Sequence, residues 1–351
     1  MNTYLQEDDL KERFLHSFPD AFYLEKENIE LAERYLKTKG WLEVDDKLLS
    51  LEKPGEGNMN YVLRAEFEKS KSIILKQARP WVEKFPTIDA PVLRTEVEDR
   101  FFELTSEYKF LATHTPSVIG LDRDSHILAL EDLGEASDCT YVYQKHKSFT
   151  ESEVKKVVSF INELNQIEGA RLFYTNLEMR KLNHQHIFHL PFLSENGFAL
   201  DDIQPGLQDV SNLCKLDRDV VSKAGELGSM YLNEGTRLQH GDLYPGSILS
   251  TSESFYVIDP EFSFIAPLEW DISIFIAHLF LAEASESIIH TAIKSFEKPS
   301  NFNDAHFCGF VGIEIIRRII GLAQLPLDLS LSEKEQLLRK AIGFIKSESL
   351  D

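Results

Sequence analysis

Residues 238–271 read LQHGDLYPGSILSTSESFYVIDPEFSFIAPLEWD, the densest cluster of site-type residues in the chain. The stretch holds two short acidic motifs, HGD at 240–242 and DPE at 259–261. Two apolar runs between them, 247–249 and 255–258, flank a Ser/Thr/Glu turn and predict a β-hairpin. Each motif alone is typical of an ordinary turn, because Gly, Asp and Pro cluster in turns. The two motifs together, separated by a hairpin, favour a functional site.

The order of these residues is that of the catalytic segment of protein kinases. There a loop aspartate contacts the acceptor hydroxyl, a residue five positions later binds magnesium, and an aspartate after the next strand binds it too. Asp242, Ser247 and Asp259 stand at those positions. Phosphoryl transfer from ATP needs Mg²⁺ on hard oxygen ligands and a carboxylate near the acceptor O–H. We therefore predict Asp242 as the catalytic residue.

HGDLYPGSIL followed by VIDPE resembles the motif pair of the aminoglycoside phosphotransferase/choline kinase superfamily. Most of that superfamily has Asn where this chain has Ser247. A serine hydroxyl is a weaker magnesium ligand than an amide carbonyl, so we expect Glu261 to supply part of the coordination. The resemblance implies ATP and Mg²⁺ as cofactors, with Asp259, Glu261 and Ser247 as the metal ligands.

The serine, the DPEF sequence and the following Pro267, Leu268 and Asp271 narrow the resemblance to the 5-methylthioribose kinases. Their pattern reads HGDLHTGSI, then VIDPEFAF, then GPMGFD. This chain departs from it at Tyr244 and Pro245, where they have His and Thr. The resemblance implies an ATP-dependent phosphotransferase with an alcohol acceptor, the 1-hydroxyl of 5-methylthioribose in methionine salvage. Members of that family are commonly homodimers, which this sequence neither favours nor opposes.

Arg317 and Arg318 lie in GIEIIRRIIGLA at 312–323 and match an arginine pair of that family. Adjacent residues lie about 100° apart on a helix, and isoleucines surround both arginines, so at least one guanidinium must lie in packed surface. A guanidinium buried there needs a partner. The partner is either a phosphate or substrate anion, or one of the many acids of the chain. The resemblance favours the anion, and it assigns Arg317 and Arg318, with Asp242, to substrate binding.

A second set of candidate residues lies in the first hundred positions. The sequence GEGNMN at 55–60 resembles the loop that covers the ATP phosphates in that family, which assigns Gly55, Gly57 and Asn58 to ATP binding. A Gly-x-Gly sequence before a strand is also common in hairpin turns. Lys76, late in the next predicted strand, is the candidate for the lysine on the α- and β-phosphates.

The carboxylate partner of Lys76 should come from the following helix, where Glu96 and Glu98 are both candidates. An offset of two residues places them on different helix faces. Glu98 shares its face with Phe101 and Phe102, and this apolar face is the one turned inward. We therefore choose Glu98 as the partner.

The secondary-structure pattern changes near residue 133. The segment HILALEDLG at 126–134 resembles the lobe-joining segment of the superfamily, whose backbone holds adenine, so Glu131 and Leu133 are assigned to ATP binding. A strand that ends in an Asp-x-Gly turn is the alternative. We expect an α+β, bilobal protein-kinase-like fold, with a small sheet-rich ATP-binding lobe at 1–133 and a larger, mainly helical lobe at 134–351 that carries the catalytic loop and substrate site.

The predicted elements follow from hydrophobic periodicity. The expected strands are 61–67, 72–77, 117–121 and 126–130, and the expected helices are 27–38, 92–111, 154–164, 220–232, 272–284, 309–323 and 333–347.

Composition excludes several classes of protein. The 351 residues include 37 Lys and Arg against 58 Asp and Glu, a formal net charge of −21. An acidic surface repels nucleic-acid phosphates and anionic lipids, so we expect neither nucleic acid nor membrane as a partner. Three scattered cysteines fit a reducing compartment, and the acidic start of the chain lacks the pattern of a secretory signal. We expect a cytoplasmic protein that acts on a small-molecule hydroxyl substrate.

Two other functions remain open from the sequence. Another hydroxyl kinase of the superfamily would act on an aminoglycoside, an amino alcohol or a different sugar, although an arginine pair disfavours cationic substrates. The second is a nucleotide-binding pseudokinase that serves as a sensor or scaffold. Retention of Asp242, Asp259, Glu261 and Lys76 argues against a pseudokinase, whereas Ser247 keeps it open.

Overall fold

The computed structural model describes residues 7–55, 59–167, 173–233, 235–251 and 254–350. The chain divides into two compact units, Met1–Glu135 and Ala136–Asp351. The division lies two residues beyond the one expected from the sequence.

The described part of the N-terminal unit combines helices with an antiparallel sheet. Its elements are α1 (Glu7–Ser17), α2 (Ile29–Lys39), β1 (Leu48–Glu52), β2 (Tyr61–Phe67), β3 (Ile73–Gln77), β4 (Trp81–Val82), β5 (Phe85–Asp89), α3 (Arg94–Ser106), α4 (Lys109–Ala112), β6 (Val118–Asp122) and β7 (Ile127–Glu131). Five strands form one sheet in the order β1-β2-β3-β7-β6, and β4 pairs with β5 in a separate hairpin. The unit is therefore a small α+β structure, as expected.

Alternation of side chains along β2 explains its place in this sheet. Tyr61, Leu63, Ala65 and Phe67 are buried, and the residues between them are partly or fully exposed. This period of two is that of a strand with one face on a core. The buried side chains belong to the same core cluster as Leu36 of α2, so sheet and helix share one apolar layer.

The described part of the C-terminal unit is mainly helical. Its helices are α5 (Glu151–Leu164), α6 (Leu177–His184), α7 (Leu200–Ile203), α8 (Leu207–Lys215), α9 (Arg218–Leu232), α10 (Trp270–Leu281), α11 (Glu286–Ser295), α12 (Asp304–Ile320) and α13 (Leu331–Ser347). Its short strands are β8 (Ser137–Asp138), β9 (Arg237–Gln239), β10 (Ile248–Ser250), β11 (Phe255–Val257) and β12 (Phe264–Ala266). Helix α10 is buried along its whole length, and α12 is buried from Phe307 to its end, so these two helices form the centre of the unit.

Two antiparallel strand pairs frame the acidic motifs. Strands β10 and β11 form the expected hairpin, with Leu249 opposite Tyr256. Strands β9 and β12 also pair, with Leu238 opposite Ile265, which the sequence did not predict. Because HGD follows β9 and DPE precedes β12, this second pairing brings the two motifs to neighbouring loops.

Cys139, Cys214 and Cys308 are free and buried, in keeping with a role as small core side chains. Within the described ranges, every helix is too short or too polar to cross a bilayer.

Candidate active site

Asp271, at the start of α10, fixes the HGD loop through its backbone. Its carboxylate accepts the N–H of His240 at 2.6 Å and the N–H of Gly241 at 3.0 Å. The indole N–H of Trp270 donates to the Gly241 carbonyl at 2.9 Å. Burial raises the pKa of Asp271 to about 7, although the two N–H donors act in the opposite direction. These buried bonds hold the loop in one conformation.

Only glycine fits at position 241. Its φ is 94°, and a Cβ there would lie 2.2 Å from the carbonyl oxygen of Phe262. The ring of His240 donates from Nε2 to the Ile258 carbonyl at 2.9 Å, and the hydroxyl of Ser263 donates to the His240 carbonyl at 3.1 Å. The two acidic motifs are thus joined by close packing and by hydrogen bonds in both directions.

Asp259 has a left-handed backbone, with φ 62° and ψ 45°. This conformation costs a residue with a side chain about 1 kcal/mol or more, so the surrounding structure must hold it. The following residues form a short 3₁₀ helix, Pro260–Phe262. The side-chain amide of Asn176 donates to the carbonyls of Glu261 at 2.9 Å and Ser263 at 3.0 Å. Asn176 therefore anchors the DPE segment, a role that sequence analysis missed.

Ser247 is buried, and its hydroxyl donates to the Asp242 carbonyl at 2.8 Å. The hydroxyl closes the loop while its oxygen retains lone pairs. Across the described residues, no group of three or more His, Cys, Asp or Glu side chains is arranged to hold a metal ion. Mg²⁺ in phosphotransferases needs only one or two carboxylates, because nucleotide phosphates and water supply the other ligands. The donor set of Asp259, Glu261 and Ser247 fits this chemistry.

Asp242 lies against the arginine pair of α12. The Nη2 atoms of Arg317 and Arg318 each lie 2.9 Å from Oδ1 of Asp242. The guanidinium of Arg318 also lies 4.7 Å from the ring centroid of Tyr244. Both arginines are buried. The structure thus brings the predicted catalytic residue and the predicted substrate residues into one cluster.

Glu314, one turn earlier on α12, completes this cluster and was not singled out from the sequence. Its Oε2 accepts from Nε of Arg317, and its Oε1 accepts from Nε of Arg318 at 2.7 Å. The same Oε1 lies 3.0 Å from Nε2 of His278, and Nδ1 of His278 lies 2.6 Å from the hydroxyl of Tyr143. A glutamate three and four residues before an arginine pair shares their helix face, and this spacing is the signal that was available.

The charges of this cluster balance. Burial alone raises the pKa of Glu314, but Arg317 and Arg318 outweigh it and hold that pKa well below its ordinary range. Burial lowers the pKa of His278 to about 4, against the hydrogen bond to Glu314. At neutral pH, Glu314 is therefore ionised and His278 is neutral, and the two carboxylates Asp242 and Glu314 face two guanidinium groups.

In the N-terminal unit, Lys76 of β3 pairs with Glu98 of α3. Nζ and Oε1 lie 2.6 Å apart, and the two side chains are 5% and 0% exposed. Glu96 instead accepts from Arg123 at 3.1 Å. The helix-face argument therefore selected the glutamate that contacts the lysine.

Gly57 and Asn58 lie outside the described residues. Gly55 is described, and a Cβ at this position would meet no atom within 4 Å. Asn60 follows this loop, and its Oδ1 accepts a hydrogen bond at 2.7 Å from Nε of Arg94, at the start of α3. Arg94 is fully buried and ties the end of the loop to the helix that carries the partner of the lysine.

Glu131 ends β7 with an exposed side chain, and Leu133 is half-buried in the turn that follows. The side chain of Asp132, which lies between them, holds this turn. It accepts from Nη2 of Arg64 at 3.0 Å and from the hydroxyl of Ser72 at 2.6 Å. The turn is thus fixed by the side chain of Asp132, which was not assigned a role.

No family model matches the chain. Curated relatives include a methylthioribose kinase of Bacillus pumilus, which is 27% identical and is matched over 77% of this chain and 78% of that protein. A methylthioribose kinase of Bacillus cereus is also 27% identical, over 91% of this chain and 92% of that protein.

Solved structures that are similar to the chain include an ethanolamine kinase of Plasmodium vivax, with a TM-score of 0.53, 13% identity and coverage of 100% of this chain and 95% of that one. A spectinomycin phosphotransferase in complex with ADP and spectinomycin has a TM-score of 0.52 and 13% identity, and covers 93% and 99%. These similarities confirm the α+β, protein-kinase-like fold. The curated relatives support the prediction of an ATP-dependent phosphotransferase that acts on an alcohol.

Proposed function

We propose that the protein is an ATP-dependent kinase of a small molecule and that its acceptor is the 1-hydroxyl of 5-methylthioribose. The observation that carries the proposal is the contact of Asp242 with both Arg317 and Arg318. A carboxylate at this point orients an acceptor hydroxyl, and two guanidinium groups beside it stabilise the negative charge of a phosphoryl group in transfer.

The two carboxylate oxygens of Asp242 have different roles in this proposal. Both arginines bind Oδ1, so we assign Oδ2 to the acceptor hydroxyl, which it orients and whose proton it accepts. The arginine pair also disfavours cationic acceptors such as choline or an aminoglycoside, because a cation prefers free carboxylates and both carboxylates here are already paired with guanidinium groups. The names of the curated relatives point to methylthioribose among the neutral hydroxyl compounds.

The remaining residues bind the nucleotide in this proposal. Mg²⁺, when bound, neutralises charge on the phosphates. Asp259 and Glu261 are the carboxylates that hold it, with the hydroxyl of Ser247 as a weaker donor. Lys76, oriented by Glu98, binds the α- and β-phosphates.

The loop that contains Gly55, Gly57 and Asn58 covers the phosphates through its backbone N–H groups in this proposal. The backbone at Glu131 and Leu133 holds the adenine. Both assignments follow from the sequence resemblance to methylthioribose kinases.

The test is coupled release of ADP with Mg-ATP and 5-methylthioribose, run beside ribose, choline and kanamycin. We expect turnover on methylthioribose, and a decrease in kcat of about 100- to 10,000-fold in Asp242→Asn. Asp219→Asn is the matched control, because its carboxylate is 85% exposed on the same unit. Turnover of another hydroxyl compound but not of methylthioribose would overturn the acceptor. Nucleotide binding without turnover of any acceptor would favour a pseudokinase.

A further inference from the structure

We propose that Glu314 is a positioning residue, held by His278 and Tyr143, that aims the two arginines at Oδ1 of Asp242, beside the oxygen that takes the acceptor proton. The inference rests on the proposed function and extends it to residues that touch neither ATP nor acceptor in that scheme.

Each guanidinium of the pair bridges two carboxylates. Arg317 and Arg318 both bind Glu314 through Nε and Asp242 through Nη2. A planar guanidinium that is fixed at Nε has its remaining donors set in direction, because the group is rigid. The position of Glu314 therefore determines where both Nη2 atoms lie.

The arginines need an anchor other than Asp242. The side chain of Asp242 is 19% exposed and is the group assigned to the acceptor, whereas that of Glu314 is 1% exposed. When the phosphoryl group in transfer accepts hydrogen bonds from the Nη2 atoms, the contact of these atoms with Asp242 weakens. Glu314 then keeps the two like charges in place, since an unpaired buried guanidinium would be costly.

His278 and Tyr143 fix Glu314 in turn. His278 is neutral at pH 7, so its Nε2–H donates to Oε1 of Glu314, while Nδ1 accepts from the Tyr143 hydroxyl. Both residues are buried, so these bonds set the tautomer and the ring orientation. Supporting contacts of this kind hold a reacting group within a fraction of an ångström.

The main test is Glu314→Gln with steady-state kinetics. The amide nitrogen of glutamine faces an arginine N–H, donor against donor, so one arginine loses its anchor. We expect kcat to fall about 10- to 100-fold and KM for the acceptor to rise. KM for ATP should stay within twofold, because Glu314 bonds to Arg317, Arg318 and His278 and to none of the residues proposed to bind the nucleotide.

Glu269→Gln is the matched control. Glu269 is a buried glutamate of the same unit, and it accepts the backbone N–H of Asn303 at 2.6 Å outside the arginine cluster. Its loss should lower stability and leave kcat within twofold. A Glu314→Gln enzyme with wild-type kcat and acceptor KM would overturn the inference.

Two further variants test the inference if the Glu314→Gln protein fails to fold. Glu314→Asp retains the charge but is one methylene too short to reach both arginines, so kcat should fall about tenfold. Tyr143→Phe removes only the hydroxyl and should lower kcat a few-fold. Wild-type kcat in both variants would also overturn the inference.

Nitrogen-15 NMR of His278 separates this inference from the proposed function. The wild-type protein should show the neutral tautomer with its proton on Nε2 at pH 7, whether or not it has kinase activity. In Tyr143→Phe the Nε2–H tautomer should persist, because Glu314 still accepts that proton, whereas the Nδ1 resonance should shift because it loses its hydrogen bond. An Nδ1–H tautomer in the wild type would contradict the hydrogen bonds of His278 to Glu314 and Tyr143 and would overturn the inference. The expected tautomer in a protein that turns over no acceptor would reject the proposed function and leave the geometry standing.

Discussion

Asp259 is a residue at which backbone conformation and proposed chemistry can be tested separately. Its φ of 62° lies in a region that asparagine tolerates better than other residues with a side chain. Asp259→Asn should therefore change the free energy of unfolding by less than about 0.5 kcal/mol, yet lower kcat about 100-fold or more through the loss of the proposed magnesium ligand. Urea unfolding and a Mg²⁺ titration of the coupled assay measure the two effects.

Asp259→Ala is the comparison. Alanine lacks the carboxylate and tolerates a left-handed backbone less well than asparagine, so its free energy of unfolding should be about 1 kcal/mol lower than that of Asp259→Asn. Wild-type kcat in Asp259→Asn would show that this carboxylate is no metal ligand.

Tyr244 occupies a position at which the sequence departs from the methylthioribose kinase pattern. Its ring covers Arg318, and it lies so close to Gly246 that a Cβ on that glycine would be 2.4 Å from the ring. Tyr244→Ala removes a cation–π contact worth about 1 kcal/mol, so KM for the acceptor should rise about fivefold. Tyr244→Phe retains the ring face and serves as the control. An equal acceptor KM in wild type, Tyr244→Ala and Tyr244→Phe would show that the contact of Tyr244 with Arg318 does not affect acceptor binding.

The residues that sequence analysis found and missed differ in the range of their contacts. Glu98 could be chosen over Glu96 because the apolar face of one helix is visible in a few consecutive residues. His278 could not be found, because its meaning depends on Glu314 and on Tyr143, which lie far from it in the chain. Local periodicity carries no information about such contacts.

Among the elements, the start of α10 determines whether the catalytic loop is ordered. Both oxygens of Asp271 accept backbone N–H groups, so Asp271→Asn would place an amide N–H₂ against one of those donors. We expect the free energy of unfolding to fall by about 2 to 3 kcal/mol, with a decrease in kcat because the loop carries Asp242.

Asp304→Asn, in the first turn of α12, is the control for that variant. Its carboxylate is 65% exposed in an ion pair with Lys298, so the change should cost less than about 0.5 kcal/mol. Urea unfolding of the three proteins makes the comparison, and equal midpoints would show that Asp271 does not support the loop.

The elements that the sequence predicted are those with a clear period over many residues. Strand β2 has the predicted bounds, and the predicted helix at 154–164 ends where α5 ends. The pairing of β9 with β12 was missed because each strand has only three residues, too few for a period of two to be visible. The predicted helix at 92–111 is two helices in the structure, because α3 ends at Ser106 and α4 begins at Lys109.

At the scale of the whole molecule, the net charge of the protein disfavours long-range attraction of the proposed substrates. A protein with net charge −21 repels ATP and phosphorylated products at long range. The arginine pair of α12 supplies buried guanidinium donors, but Asp242 and Glu314 balance its charge, so no net positive charge extends from it. Recognition of an anion must therefore come from contacts, which explains why paired, buried cations matter here more than net charge.

The stability of the whole molecule should also depend on the protonation of His278. Burial lowers its pKa from 6.5 to about 4 in the folded protein, where Glu314, Arg318 and Asp242 also act on it. As the pH falls below 6.5, the unfolded chain binds a proton that the folded protein does not, so the free energy of unfolding decreases until about pH 4. Each pH unit costs at most about 1.4 kcal/mol.

His278→Gln removes this dependence. Asp271 contributes with the opposite sign, because its pKa is raised to about 7 and the folded protein gains stability as that carboxyl is protonated. This contribution is present in both proteins, so their difference isolates His278. Between pH 7 and pH 4.5, wild type should lose about 2 to 3 kcal/mol relative to His278→Gln in urea unfolding. Parallel curves would mean that the fold does not lower the pKa of His278.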